Sequence, residues 1–389
     1  MRLLHMSWIL ASLFLAPANA ADDTPDSNTP AQPLMIGTWT IDQSCEPHFD
    51  FLQQAFDDAR ILAESAQATL EGALQPRPKN GKGIIKNWDR VAKAIKVIFS
   101  FLPDAKNGNQ RTEEHWENVF RVFDRMVSGL QATETIRFGN LDPIIVCNDA
   151  CWNWFDASAI DPTLPADVTE DNKMEQRYPD RFKDNKYVGA YYWNGRWDWR
   201  GQKYAAIPAT SCGPDSTTLA ETSPGLGMIQ LCERLFSEDY KKRKTVPALQ
   251  TIDIGHSLRD LYDVAATLVH EFAHWYGTKE GEGPDGALEF LPDHMCRNDE
   301  GKFIYKNINT GAEVPKSKKL KKPAEKGLKE KVTYGFKCLQ NLSKFGGPKE
   351  STNTAEAYAF FSMMAYLKKW DWSEDAKARG VKYEQHPPS

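Results

Sequence analysis

Two things are missing from this chain: a run of apolar residues long enough to cross a membrane, and an excess of positive charge. The most apolar stretch, Leu3 to Leu15, falls short of the roughly 20 residues a spanning helix needs, and no later stretch reaches that length. The net charge of −5 and a pI near 6.0 give no overall reason to expect nucleic acid as a partner. A cysteine-ligated zinc knuckle is missing too. Cys147 and Cys151 stand in C-x3-C spacing, and no second pair follows at zinc-site distance. What remains, with 41% hydrophobic and 26% charged residues in 389, is the composition of a globular protein of one large or two modest domains.

The N-terminus reads as an address. Met1-Arg2 supplies the charged start, Leu3 to Leu15 the apolar segment, and Ala18-Asn19-Ala20 the small-x-small cleavage site of a signal peptide over 1–20. The polar, proline-containing stretch that follows is expected to be a disordered leader, over 21–35. The mature chain is therefore expected to be secreted and extracellular, without membrane attachment. In an oxidising compartment the seven cysteines imply three disulfides and one leftover thiol, with pairing that cannot be deduced. Asn341-Leu342-Ser343 is a sequon and would accept a glycan if exposed.

The chemistry concentrates in Ala265 to Gly277, where His270-Glu271-Phe272-Ala273-His274 forms an H-E-x-x-H. Residues four apart share one face of a helix, so the two imidazoles converge on one point and can bind zinc. Glu271 follows the first histidine, close enough to reach a water at the metal without being a ligand itself. Leu261, Ala265, Leu268, Phe272 and Trp275 recur at helical spacing and would bury the segment, and Gly277 offers a stop. A buried helix carrying two histidines and a glutamate at ligand spacing is hard to explain without a metal.

The first half of the chain carries no comparable cluster. Helices are expected over Glu46–Leu74, Trp88–Phe101 and Glu113–Leu130, forming a helical subdomain over 36–140. Short strands follow in the 141–389 region. Ile144–Cys147 and Met228–Cys232 are apolar strands, and Tyr191–Trp199 carries Asn194-Gly195 between aromatic flanks, a strong hairpin signal. That ribbon would bind a polymer such as a glycan if exposed, although burying one face is the commoner outcome. Thr278 to Lys331 is rich in glycine and charge, with eight lysines between Pro315 and Lys331, and reads as a mobile Lys-rich insertion at about 297–331. A last helix is expected over Thr354–Lys369.

A catalytic zinc site needs three protein ligands and one open position. The residues leave the third open. Glu280 sits in H-E-x-x-H-x-x-G-x-x-E, a metzincin-like frame with glutamate in the third place. Ser362 to Tyr366 mimics a Met-turn but lies inside an expected helix. Glu356 resembles the helix-borne glutamate of thermolysin-like enzymes, and Asp285 and Asp293 are the other acids within reach of a returning loop.

Thr267 to His274 is similar to the zinc helix of fungal deuterolysin-like peptidases, the aspzincins. Tyr334 to Leu342 resembles their Y-G-x-x-x-C-x-x-L, and Thr354 to Phe361 their N-A-D-x-Y-A-x-F. Ile229-Gln230-Leu231-Cys232 and the Ala-rich helix after Cys45 resemble further elements of that group, so the likeness touches most of the mature chain. The family's third ligand is an aspartate within G-T-x-x-D-x-x-Y-G. Here Gly277-Thr278 is present, Tyr334-Gly335 stands far downstream, and Lys331 occupies the place three before Tyr334. On this resemblance, with an insertion between the acid and the Y-G, Leu291-Pro292-Asp293 supplies the ligand. The resemblance also implies Tyr334 as an oxyanion donor and Glu356 as the carboxylate that orients a zinc-binding histidine.

The resulting expectation is an α+β, zincin-like fold, helix-rich with a small twisted sheet and an H-E-x-x-H active-site helix. It would be a secreted, monomeric metalloendopeptidase acting on proteins or peptides. His270, His274 and Asp293 would hold one Zn2+, with Glu271 as general base and Tyr334 assisting. Two rivals belong to other classes. One is a secreted zinc-binding or surface-interaction protein of the same fold without peptidase activity, against which the presence of Glu271 speaks. The other is a carbohydrate-binding protein using the Trp/Tyr hairpin, which would leave the H-E-x-x-H unexplained.

Overall fold

The computed structural model describes residues 34–103, 110–165, 172–201, 212, 217–249, 251–283 and 287–382. The expected signal peptide, most of the expected leader and Asp285 lie outside them. Residues from Leu34 onward form one compact unit. It is a mixed α and β structure with small sheets, compatible with an α+β class.

Among the described residues six longer helices make the frame: α1 (Phe49–Leu74), α2 (Lys82–Phe99), α3 (Gln110–Leu130), α4 (Val264–Gly277), α5 (Phe336–Ser351) and α6 (Ala355–Tyr366). The helical periodicity of Leu52, Phe56, Ala59, Leu62, Ala63, Ala66 and Leu70 buries one side of α1 against α3, α4 and α6. Of the helices expected from the first half, α1 and α3 thus pack directly against α4, while α2 packs on α5 and α6. Trp39, Phe56, Phe272 and Trp275 meet ring to ring, with Trp39 and Trp275 centroids 4.9 Å apart. Each such fully buried side chain contributes about 1.5–3 kcal/mol.

The principal sheet has β1 (Leu34–Ile36), β2 (Trp39–Ile41) and β3 (Ile144–Cys147) on one side. After an aromatic sheet of β4 (Asn153–Asp156), β5 (Gly189–Trp193) and β6 (Arg196–Arg200), the chain returns as β7 (Ala220–Ser223) and β8 (Met228–Leu231). The spatial order is β1-β2-β3-β8-β7. β3 runs parallel to β2 and β8, and the edge strand β7 runs antiparallel to β8 while lying against α4.

The expected hairpin forms as β5–β6, with Asn194 and Gly195 both at positive φ (43° and 78°), as a type I′ turn requires. One face of the ribbon is covered: Tyr178 packs edge-on against Trp197 and Trp199, and Phe182 and Tyr187 close on Trp199. Within the stretch read as irregular, β9 (Ile304–Asn307) pairs with β10 (Glu313–Pro315) and β11 (Leu328–Glu330) in an antiparallel sheet whose lysines stay largely exposed.

Three disulfides form, as expected: Cys45–Cys147, Cys212–Cys232 and Cys296–Cys338, leaving Cys151 as the free thiol. They are compatible with a secreted protein. No described helix is long and apolar enough to cross a membrane. The sequon is closed to a glycan. Asn341 is buried within α5, and its Nδ2 donates to Arg297 O at 2.9 Å and Asp299 Oδ1 at 3.1 Å.

Candidate metal centre

Helix α4 is pinned at both ends. Asp263 accepts from Ala266 N at 2.9 Å as N-cap, and also holds Val246 N. At the other end Arg125 of α3 donates to Tyr276 O and Thr278 O, placing a cation on carbonyls that a helix C-terminus leaves unpaired. The helix ends at Gly277, as the sequence suggests, though not through a left-handed turn. The glycine lacks a side chain for another reason: Leu291 fills the space a Cβ would need. That contact seats the 291–294 loop on the end of α4.

The loop then delivers two groups to the helix. The Leu291 carbonyl accepts from His274 Nδ1–H at 2.6 Å, and Asp293 turns toward both histidines. His270 Nδ1–H donates to Glu356 Oε2 at 3.0 Å. With both Nδ1 atoms acting as donors, each ring in its neutral form keeps its lone pair on Nε2. The two Nε2 atoms face each other at 3.2 Å, with Asp293 Oδ1 3.4 Å from His270 Nε2 and Oδ2 3.5 Å from His274 Nε2. A tetrahedral zinc with bonds of about 2.0–2.1 Å has ligand–ligand edges of about 3.3 Å. Asp293 Oδ1 is buried without a hydrogen-bond partner, although buried polar atoms are normally satisfied. His270, which is buried, and the partly buried His274 and Asp293 form a triad that could hold a metal ion.

Electrostatics point the same way. Burial works against the imidazolium of His270, yet Asp293, Glu356 and Glu271 outweigh it and raise its pKa well above the ordinary value. Burial likewise pushes the Asp293 carboxyl up, and the two histidines pull it far below the usual carboxylate range. A field that draws a proton onto neutral imidazoles draws a dication at least as strongly.

Glu271 is buried beside the triad, and its Oε2 accepts from the Thr222 hydroxyl of β7 at 2.6 Å. Glu356, buried in the first turn of α6, accepts from three donors: His270 Nδ1, Tyr262 Oη at 3.0 Å and Gly335 N at 2.7 Å. It therefore acts on His270 from behind rather than joining the triad. Tyr334 lies in the site, its ring 5.7 Å from that of His270, but its hydroxyl donates to Asp293 Oδ2 at 3.0 Å. Burial, then Asp293, raises the Tyr334 pKa, so the phenol stays protonated. Glu280 is exposed beyond the end of α4 and takes no part in the triad; Ser362 to Tyr366 lies within α6, with Met363 and Met364 in the core.

Three participants had not been anticipated from the sequence: Thr222, Tyr262 and the Leu291 carbonyl. Only Tyr262 carried a signal, as an aromatic just ahead of the N-cap. β7 has no apolar alternation to mark it as a strand, and a backbone carbonyl has no sequence identity. Comparison with protein-family models, curated proteins and solved structures finds no match for the chain.

Proposed function

We propose that the protein is a zinc-dependent endopeptidase of zincin-like architecture, similar to the deuterolysin-like aspzincins, secreted and acting as a monomer on protein or peptide substrates. The observation that carries this reading is the triad itself. Two imidazole nitrogens with their protons held on the far side, and a carboxylate oxygen without a partner, stand at tetrahedral edge distances next to a further buried carboxylate. In this proposal His270, His274 and Asp293 hold the ion.

Zinc, when bound, supplies a Lewis acid and brings the pKa of a coordinated water toward neutrality. Glu271 is the base that takes the water's proton, and it later returns a proton to the leaving amine. The Thr222 hydroxyl fixes Glu271 Oε2 and leaves Oε1 for that exchange. Glu356 and the Leu291 carbonyl keep the histidine protons on Nδ1, which preserves the Nε2 lone pairs. β7 is the last strand of its sheet, so its outer edge offers backbone groups to an extended peptide running past Glu271. Tyr334 stabilises the oxyanion once its hydroxyl leaves Asp293 for the substrate.

Glu271→Gln tests the reading. Metal content should stay at the wild-type level while casein cleavage falls by at least about 100-fold, the scale of a general base. A variant that kept full activity would remove Glu271 from the chemistry, and a wild-type protein loaded with zinc but inert toward peptides would support the non-enzymatic alternative.

A further inference from the structure

A groove of about 890 Å³ lies away from the metal centre, between α1, α2 and the end of α6. It exists because α1 presents Ser65, Ala68, Thr69 and Gly72 there, small residues at helical spacing that leave the facing surface of α2 uncovered. Trp88, Tyr366 and Trp370 supply aromatic walls, and Ile84 is 65% exposed at the rim.

The charges lining this space are of one sign. Arg90, Lys368 and Lys369 are there, and among the described residues no aspartate or glutamate is, in a chain whose net charge is −5. Arg90 is the unusual member. It is only 4% exposed, yet no described carboxylate pairs with it: its guanidinium donates to Met364 O at 3.2 Å and to Asn87 Oδ1 at 3.1 Å. Burial lowers its pKa to about 10, with Asp371 opposing, so it remains charged at neutral pH. Asp371 itself lies 3.7 Å from Lys93. Met364 belongs to the last turn of α6, whose dipole offers only about half a unit of negative charge. By contrast the nearby Arg77 is bidentate on Asp89, at 2.6 and 2.8 Å. A buried cation without an anion is costly.

We infer that this groove is a binding site for an amphiphile with an apolar body and a single anionic head, an aliphatic or aromatic carboxylate. The head neutralises Arg90 with help from the lysines at the mouth, and the body lies along the small-residue face of α1 against Trp88 and Trp370. The site is independent of the metal centre and of peptidase activity.

Decanoate is the probe, titrated calorimetrically into the full protein with decanol and decylamine as controls. Decanoate should bind saturably, and at least about tenfold more tightly than either control, the equivalent of one charge-assisted hydrogen bond. Arg90→Gln should abolish that preference. Ala68→Trp fills the groove from an exposed position and should abolish binding with the melting temperature retained, so it carries the test if loss of Arg90 impairs folding. Equal binding of decanol and decanoate, no decanoate binding, or decanoate binding unchanged in Ala68→Trp would each overturn the assignment.

Discussion

Replacing Glu356 by glutamine probes how the protein holds His270 ready for a metal. The buried carboxylate accepts from His270 Nδ1, Tyr262 Oη and Gly335 N at 2.7–3.0 Å. Glutamine has one oxygen and an NH2 that can only donate. If the oxygen stays on Gly335, the NH2 faces both the His270 and Tyr262 protons; if it flips, the NH2 faces the Gly335 N–H. A buried donor without an acceptor costs about 1–3 kcal/mol. His270 can relieve that cost by moving its proton to Nε2, which removes the lone pair the metal needs. Zinc affinity should therefore fall about 10–100-fold, or roughly 1.4–2.7 kcal/mol. The assay is competition against a chelating indicator at neutral pH, with melting of the metal-free protein measured alongside to separate folding from binding. Unchanged zinc affinity in Glu356→Gln would refute the idea that this carboxylate sets the histidine tautomer.

Two further outcomes follow from the same geometry. Gly277→Ala would push Leu291 off the end of α4, costing about 1–3 kcal/mol of stability as overpacking and weakening zinc affinity as the Asp293 loop shifts; the double variant with Leu291→Ala should recover part of both, measured by urea melts and metal titration. Burial raises the Asp263 pKa from 3.8 to about 6, so the folded state retains a proton that the unfolded chain releases. Stability from that group is full below pH 3.8 and is lost as pH rises toward 6. The stability of wild type relative to Asp263→Asn should fall by about 1–3 kcal/mol across that window, and a flat difference in denaturation midpoints would contradict it.

Legibility in the sequence followed the range of the interactions. α1 and α4 could be read from residue spacing because a helix buries residues close in sequence, and Asn194-Gly195 could be read because a two-residue turn is local chemistry. The H-E-x-x-H is likewise local. Asp293 was not legible from spacing: an irregular loop separates it from α4, and it was singled out through a family resemblance, with Asp285, Glu280 and Glu356 left open by the residues themselves. What brings it to the histidines is the packing of Leu291 on Gly277, a contact that no periodicity encodes. Thr222 reaches Glu271 only because β7 lies against α4, which depends on the order of the whole sheet. The closed sequon shows the converse, since Asn341 meets the motif and is buried by the Arg297–Asp299 turn.

The function proposed for this protein rests on His270, His274 and Asp293 forming a zinc site. The most direct test is metal content by elemental mass spectrometry after equilibration with zinc and gel filtration, for wild type, His270→Ala, His274→Ala, Asp293→Ala and Glu280→Ala. One zinc per chain is expected in wild type and Glu280→Ala, and loss of zinc in the other three with the fold retained by circular dichroism. Stoichiometric zinc in Asp293→Ala, or none in wild type, would contradict that site.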